Sequence, residues 1–441
     1  MDNELALKRI SLFPETTRVE ATDAGSELTI GGVSVSSLAT RFGTPLYLYD
    51  AATIAGEIAR YSLAARTHYP GAASLTYAGK AYLSLALAEW IGLQGLRVDC
   101  TGLGELAIAA AAGLSPEQIV VHGVNKSQAV LAAAVQQAGV IVVDNLEEVE
   151  RLVSLRHPSP IPRLWLRFRP GQTVTTHRHI QTGHDDSKFG MGWDEALAAA
   201  RLLESSGIDL DGLHFHLGSQ FQEAAPVLAA VERTLDLAVA IEKSRRWHIS
   251  PGGGLGIAYH EDDLPAPEVD RYVAAICKSM AAGSKLRRLP MPNLVLEPGR
   301  SLVARAGVAV YQVGTVKRTG GRVWGLLDGG LADNLRPALY GARYSGLPVR
   351  DPLRQFNEVI TFAGPYCESG DILIQDLPFA GVVAGDLVAV PVSGAYQLSM
   401  GSNYNGATKP AVVWLEDGRA KLIEEREAPE DLLRRSLSLN T

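Results

Sequence analysis

From about residue 70 to residue 298, short runs rich in β-branched and aliphatic residues alternate with stretches whose apolar positions recur at helical spacing. Eight runs predict strands: Ser74 to Ala78, Leu96 to Cys100, Ile119 to His122, Val140 to Val143, Arg163 to Phe168, Leu210 to His216, Trp247 to Ser250, and Asn293 to Glu297. Between them, Leu103 to Ala112, Ser127 to Ala138 and Ala196 to Ser205 are rich in Ala and Leu with polar residues on one face, the pattern of amphipathic helices. Eight strand-helix alternations predict a parallel (β/α)8 TIM barrel.

Nearly every run ends in polar residues: Lys80, Asp99, His122, Asp144, Arg167 with Arg169, His214 with His216, the Gly252-Gly253-Gly254 turn, and Glu297 with Arg300. In a barrel these ends form one face. Active sites lie there, and phosphate sites commonly follow strands seven and eight.

Both ends of the chain show a different pattern. Leu28 to Val35 predicts a hairpin around Gly31-Gly32, and Pro410 to Ile423 another around Asp417-Gly418. Runs such as Gly307 to Val313, Val323 to Leu327, Leu387 to Pro391 and Val412 to Leu415 are separated by turn residues, and Pro429 to Ser436 predicts a final helix. The expected organisation is a barrel over 46–303 and a second, β-rich domain assembled from 1–45 and 304–441.

Composition narrows the function. The 441 residues are 46% hydrophobic and 20% charged, an ordinary globular balance. A formal net charge of −7 argues against a general nucleic-acid or anionic-membrane binder, and no apolar stretch is long enough to span a bilayer. Met1-Asp2-Asn3-Glu4 does not read as a signal peptide. Cys100, Cys277 and Cys367 are odd in number, widely spaced and without a CxxC pair, so reduced thiols and a cytoplasmic location are expected.

Several residues carry candidate chemistry. Lys80 follows Leu75-Thr76-Tyr77-Ala78-Gly79 at the end of an interior strand, a position suited either to a solvated rim charge or to Schiff-base formation. The glycine triplet is either a turn needing positive φ or a phosphate nest of successive amides; Ser219 and Arg300 favour the cradle. Glu297 ends the apolar strand Leu294-Val295-Leu296, where an unpaired charge is costly. Its partner is either a barrel arginine or a protonated pyridine nitrogen. His216 is either a core histidine or a residue lying flat on a ring, with His122, His214 and Asp99 orienting these groups. Local spacing gives no metal motif: HExxH is absent, and His214 and His216 lack an adjacent carboxylate. Cys367, in the turn Gly364-Pro365-Tyr366-Cys367-Glu368-Ser369-Gly370-Asp371, could be a metal ligand, a nucleophile, a proton donor or a bystander.

A Schiff-base lysine, a phosphate cradle and an acid for a ring nitrogen together point to pyridoxal phosphate. Ordered motifs then add a resemblance. They are Phe42-Gly43-Thr44-Pro45-Leu46-Tyr47, Tyr77-Ala78-Gly79-Lys80-Ala81, Val98-Asp99-Cys100 with Gly104-Glu105-Leu106, Asn125-Lys126-Ser127, and Thr182-Gly183 with Ser187-Lys188-Phe189-Gly190. Further on come His216-Leu217-Gly218-Ser219-Gln220, the glycine triplet, Glu297-Pro298-Gly299-Arg300, Arg336-Pro337-Ala338-Leu339-Tyr340, Cys367-Glu368-Ser369-Gly370-Asp371, and Gly394-Ala395-Tyr396 with Ser402-Asn403-Tyr404-Asn405. With these motifs the chain resembles, over nearly its whole length, the fold-type III pyridoxal phosphate-dependent amino-acid decarboxylases, and most closely the branch acting on diaminopimelate.

The resemblance implies an alanine-racemase-type barrel with a β-rich second domain, and decarboxylation of meso-2,6-diaminopimelate to L-lysine and CO2, the last step of lysine biosynthesis. It implies that Lys80 holds the cofactor, His216 stacks on its ring and Glu297 meets its nitrogen. Ser219, the glycine triplet, Arg300 and Tyr396 would surround the phosphate, with Asp99 and Gly299 completing the cofactor site. Arg300, Arg336 and Tyr340 would hold the distal carboxylate of the substrate and Glu368 its distal ammonium, Tyr396 would also bind substrate, and Cys367 would protonate the product carbon. It further implies a homodimer whose sites are shared, the partner donating the turn that bears Cys367. Decarboxylases of ornithine, lysine, arginine or carboxynorspermidine, and a regulatory homologue without catalysis, are the alternatives. Arg336 with Glu368 favours diaminopimelate, because a buried guanidinium facing a simple diamine would lack an anion.

Overall fold

The computed structural model describes residues 4–155, 162–171 and 187–439. The Thr182-Gly183 motif lies outside the described residues. The chain divides into two compact units, one of Ile58–Ile257 with Ala266–Ser301, the other of Met1–Glu57, Ala258–Pro265 and Leu302–Thr441.

The first unit is a closed barrel of eight parallel strands. In chain order they are β1 (Ala73–Ala78), β2 (Arg97–Cys100), β3 (Ile119–Val121), β4 (Val140–Val143), β5 (Arg163–Arg167), β6 (Leu210–His214), β7 (His248–Gly252) and β8 (Asn293–Leu296). Each predicted run became one strand. Closure comes from β8 against β1, where Leu294 pairs with Ala73 and Leu296 with Leu75. Val120, Val140, Val142, Trp165 and Val295 fill the interior, so the barrel is packed rather than hollow.

Some of the crossover helices start where a side chain satisfies one of the first free backbone amides. Ser127 Oγ accepts from the Val130 amide at 3.3 Å, and Asn145 Oδ1 from the Glu148 amide at 2.9 Å, opening Gln128–Gln137 and Leu146–Ser154. Register then aligns the strand ends. Ala78 pairs with Asp99, Arg167 with His214, His214 with Ser250, and Gly252 with Leu296, so the polar strand ends lie at one level.

The second unit is dominated by a nine-stranded mixed sheet. Leu46–Asp50, placed in the barrel by the boundary at residue 46, belongs instead to this sheet, between the antiparallel neighbour Gly307–Thr319 and the parallel neighbour Ala411–Glu416. All five of its residues are buried, and a continuous apolar run reads alike in a barrel and in a sheet covered on both faces. Leu28, Leu46, Leu48, Val308, Val310, Val413 and Leu415 share one core, so both ends of the chain build this unit together. The hairpins Gly25–Ile30 with Val33–Ser34 and Ala411–Glu416 with Arg419–Glu424 form where expected.

Two short elements, the helix Glu4–Ile10 and the strand Arg18–Thr22, carry too few periodic positions to be predicted. The final helix is only a 3-10 turn, Pro429–Leu433, with no buried residue. Its favourable start is not followed by an apolar face that packing could stabilise. Among the described residues, no helix is long and apolar enough to cross a membrane.

Candidate active site

In the barrel unit, the C-terminal ends of the strands gather the first group of candidates. Lys80 follows β1 in a short 3-10 turn, Gly79–Ala81, and its positive charge acts on Asp99, Glu105, His122 and His216. Asp99 ends β2, His122 follows β3, His214 ends β6 and Glu297 follows β8; all four are buried.

Glu297 is the hub. His214 Nε2 lies 2.9 Å from Oε2, while His122 Nε2 lies 3.7 Å from Oε1. Burial by itself raises the Glu297 carboxyl, but the adjacent His214 and the hydrogen bonds from His214 and Ser250 hold it well below the usual carboxylate range. An ionised carboxylate only accepts, so His214 Nε2 carries the proton. Burial drives His122 well below its ordinary value and keeps it neutral. Among the described residues, Glu297 Oε1, Asp99 Oδ1, His122 Nε2 and His214 Nδ1 are buried without a hydrogen-bond partner. Such atoms are costly unless a ligand meets them.

His122, His214 and Glu297 also bring ligand-type atoms within 4.8 Å of one another. Spacing along the chain could not see this, because the three come from β3, β6 and β8. The carboxylate oxygen Oε2 is already committed to His214, and a ring N–H is the partner that the remaining Oε1 accepts most directly.

A cradle lies beside this hub. Gly252 and Gly254 have φ of 71° and 116°, conformations that side-chain-bearing residues rarely adopt. A Cβ on Gly253 would come within 2.3 Å of the Glu297 carbonyl oxygen, so that glycine is required by close approach. His216 stands against the turn, with the Gly253 amide 3.4 Å from Nδ1. Burial, then the charges of Lys80 and Arg167, push the His216 imidazole well below its ordinary value, so it is neutral. Arg300 Nε donates to Ser219 Oγ at 3.2 Å, joining the two predicted phosphate contacts. Gly299 packs on β1, where a Cβ would meet the Ala78 Cβ at 2.9 Å. Arg167, with Nη1 3.7 Å from Asp144 Oδ1, was recognised as a strand-end charge but not as a site candidate. Buried acceptors, a glycine cradle, a serine-arginine pair and an accessible lysine together fit a phosphorylated pyridine aldehyde.

The remaining candidates lie in the β-rich unit. Arg336 opens the short helix Arg336–Tyr340 and is buried. Its Nε donates to the Tyr344 hydroxyl at 2.9 Å, and its guanidinium carbon lies 4.8 Å from the Tyr259 ring centre and 5.5 Å from that of Tyr340. Among the described residues no carboxylate lies within ion-pair distance of it. Sequence reasoning missed Tyr259 and Tyr344, which no local motif marks.

Cys367 and Glu368 are exposed on a turn that is firmly held. Buried Asp371 accepts the Leu331 amide at 2.7 Å and the Tyr366 amide at 3.0 Å, while Asn405 Oδ1 accepts the Cys367 amide at 3.0 Å. Tyr396 adopts a positive φ of 58°, rare for a residue with a side chain.

Asp99 gives a test of this electrostatic picture. Burial raises its carboxyl to about 8 against the opposing charge of Lys80, with Glu297 adding to the rise. In the unfolded chain the group titrates near 4. Between these values the folded state holds the extra proton, so Asp99 makes stability fall as pH rises from about 4 to 8. Asp99→Asn removes that loss. In thermal melts of cofactor-free protein, the Asn variant should gain on the parent as pH rises toward 8, and parallel curves would contradict the assignment.

Comparison with known proteins agrees with this chemistry. Residues 55–304 match the family model of the pyridoxal-dependent decarboxylases, pyridoxal binding domain. A diaminopimelate decarboxylase of Actinosynnema pretiosum is 39% identical over 99% of this chain and 98% of its own. One from Bacillus subtilis is 38% identical over 94% of this chain and 96% of its own. Among solved structures, a diaminopimelate decarboxylase of M. jannaschii in co-complex with L-lysine superposes with a TM-score of 0.86 at 29% identity, covering 97% of this chain and 99% of that one. A chain with this barrel and this relatedness along almost its full length belongs to the pyridoxal-dependent decarboxylases, in their diaminopimelate decarboxylase branch.

Proposed function

We propose that the protein decarboxylates meso-2,6-diaminopimelate to L-lysine and CO2, with pyridoxal phosphate bound in the barrel unit. Arg336 carries the substrate assignment: a buried guanidinium framed by tyrosines, with no carboxylate partner among the described residues, calls for an anionic ligand group. Diaminopimelate has such a group at its far end; lysine, ornithine and arginine do not.

When bound, pyridoxal phosphate supplies an electron sink for the electron pair of the breaking Cα–carboxylate bond. The chain's residues do the rest. Lys80, exposed just after β1, would hold the cofactor through its amine. Glu297, oriented through Oε2 by His214, would offer Oε1 to the ring N–H and so favour the protonated nitrogen. His216, neutral and set against the glycine turn, would stack on the ring, and Asp99 and Gly299 would complete the cofactor site. Ser219, Gly252, Gly253, Gly254, Arg300 and Tyr396 receive the phosphate. Arg336, with Arg300 and Tyr340, would hold the distal carboxylate and Glu368 the distal ammonium, with Tyr396 also binding substrate. Cys367 delivers the proton to Cα after CO2 departs.

The exposed Cys367 and Glu368, on a turn pinned by Asp371 and Asn405, support a homodimer in which each copy completes its partner's site. Mixing Lys80→Ala with Cys367→Ala subunits, each nearly inactive alone, should then restore part of the activity by assembling one intact site. No recovery after subunit exchange would contradict site sharing. Cys367→Ala itself should slow turnover by roughly 10²-fold while leaving cofactor absorbance in place; full activity would make the thiol a bystander. Three widely spaced cysteines and the absence of a CxxC pair support a cytoplasmic location.

The cofactor requirement tests the reading as a whole. Protein stripped with hydroxylamine should release no CO2 from meso-diaminopimelate and should recover on adding pyridoxal phosphate. Unchanged release from the stripped protein would contradict it.

A further inference from the structure

The aromatic face of Tyr259 reaches Arg336 from a distant part of the chain. Residues Ala258–Pro265 follow β7 in sequence, yet they cluster with the β-rich unit. What anchors them is Glu261. Its Oε1 accepts from Arg9 Nε at 2.7 Å, with side-chain exposures of 4% for Glu261 and 0% for Arg9. Arg9 Nη1 also donates to the Gly346 carbonyl at 3.2 Å and to the Pro378 carbonyl at 2.8 Å, and its guanidinium sits 4.8 Å above the Phe356 ring. One side chain of the N-terminal helix therefore ties the segment to two strand-edge carbonyls and an aromatic platform.

Desolvating a charged pair so fully adds little net stability, but it fixes geometry, because separating the partners would leave a buried charge unpaired. The beneficiary is two residues away. Tyr259 packs edge to face on Tyr344, with ring centres 5.3 Å apart and planes at 73°, and presents its own face to the Arg336 guanidinium at 4.8 Å. The Tyr344 hydroxyl accepts from Arg336 Nε. This arrangement orients the fork of Arg336 without neutralising it, as a carboxylate in the same place would.

We propose that Tyr259, anchored through Glu261 to Arg9, is a specificity-determining positioning residue: it sets the direction in which Arg336 meets the carboxylate at the far end of the substrate. The proposal rests on the reading of Arg336 as that carboxylate's partner. It assigns the N-terminal helix a part in substrate selection although Arg9 itself touches no substrate.

Steady-state kinetics of the holoenzyme with meso-diaminopimelate separate the possibilities. Tyr259→Phe keeps the ring and should hold KM within about threefold. Tyr259→Leu removes the ring and should raise KM by roughly 10-fold with kcat changed by less than about threefold. Glu261→Gln, which keeps the anchor's shape without its charge, should move KM in the same direction and provides the test if the leucine variant does not fold. A Tyr259→Leu enzyme with unchanged KM, or one losing kcat alone, overturns the proposal, as does a Phe variant as impaired as the Leu variant. Arg336→Lys, measured in parallel, distinguishes the two levels. If its KM is unchanged, the reading of Arg336 fails and the proposal with it; if its KM rises while that of Tyr259→Leu and Glu261→Gln does not, only the role of Tyr259 fails.

Discussion

Lys80→Ala is expected to lower turnover by roughly 10³-fold or more and to abolish the visible absorbance of the bound cofactor. The expectation comes from where lysines stand on the barrel rim. Lys80 follows β1, exposed, and its charge reaches Asp99, His122 and His216. Lys126, also on that rim, is buried and committed: its Nζ donates to Glu148 at 2.6 Å, to the Val142 carbonyl at 2.7 Å and to the Gly123 carbonyl at 3.0 Å. Breaking that set would strand a buried charge, so Lys126 is a structural post rather than an attachment point. Absorbance spectra of the purified variant, with the cofactor added back, decide the matter. An unchanged spectrum would place the attachment on a different lysine.

The second large effect is expected at Arg336. Arg336→Met should lower kcat/KM for meso-diaminopimelate by about 10²- to 10³-fold, mainly through KM, because a charged contact to the distal carboxylate is lost. Methionine has a comparable length and packs well against aromatic rings, so Tyr259 and Tyr340 can close around it and the fold should persist. Cofactor absorbance should remain, since this residue serves the substrate. A variant with wild-type KM would remove the basis for preferring a dicarboxylic substrate.

What the sequence made legible follows from how each feature is encoded. Barrel strands are short apolar runs at regular intervals, and the polar residue at each end marks the same face, so Lys80, Asp99, His122, His214 and Glu297 could be placed at one rim before any coordinates. Their mutual contacts could not be. His122, His214 and Glu297 meet only because β3, β6 and β8 converge, and the choice of His214 as the partner of Glu297 Oε2 is a matter of ångströms. Leu46–Asp50 falls on the wrong side of the expected domain boundary because five buried residues in a row carry no record of which neighbours cover them. The pair of Arg9 with Glu261 spans 252 positions, and neither residue sits in a motif. Tyr259 is equally silent: an aromatic residue in a loop becomes a guanidinium platform only once Arg336 is brought beneath it.

The most direct test of the account is a substrate panel on purified protein supplied with pyridoxal phosphate. Incubated separately with meso-diaminopimelate, L-lysine, L-ornithine and L-arginine, the enzyme should form one L-lysine for each CO2 released from diaminopimelate and turn over the other three negligibly. No lysine from meso-diaminopimelate, together with CO2 release from one of the others, would contradict it.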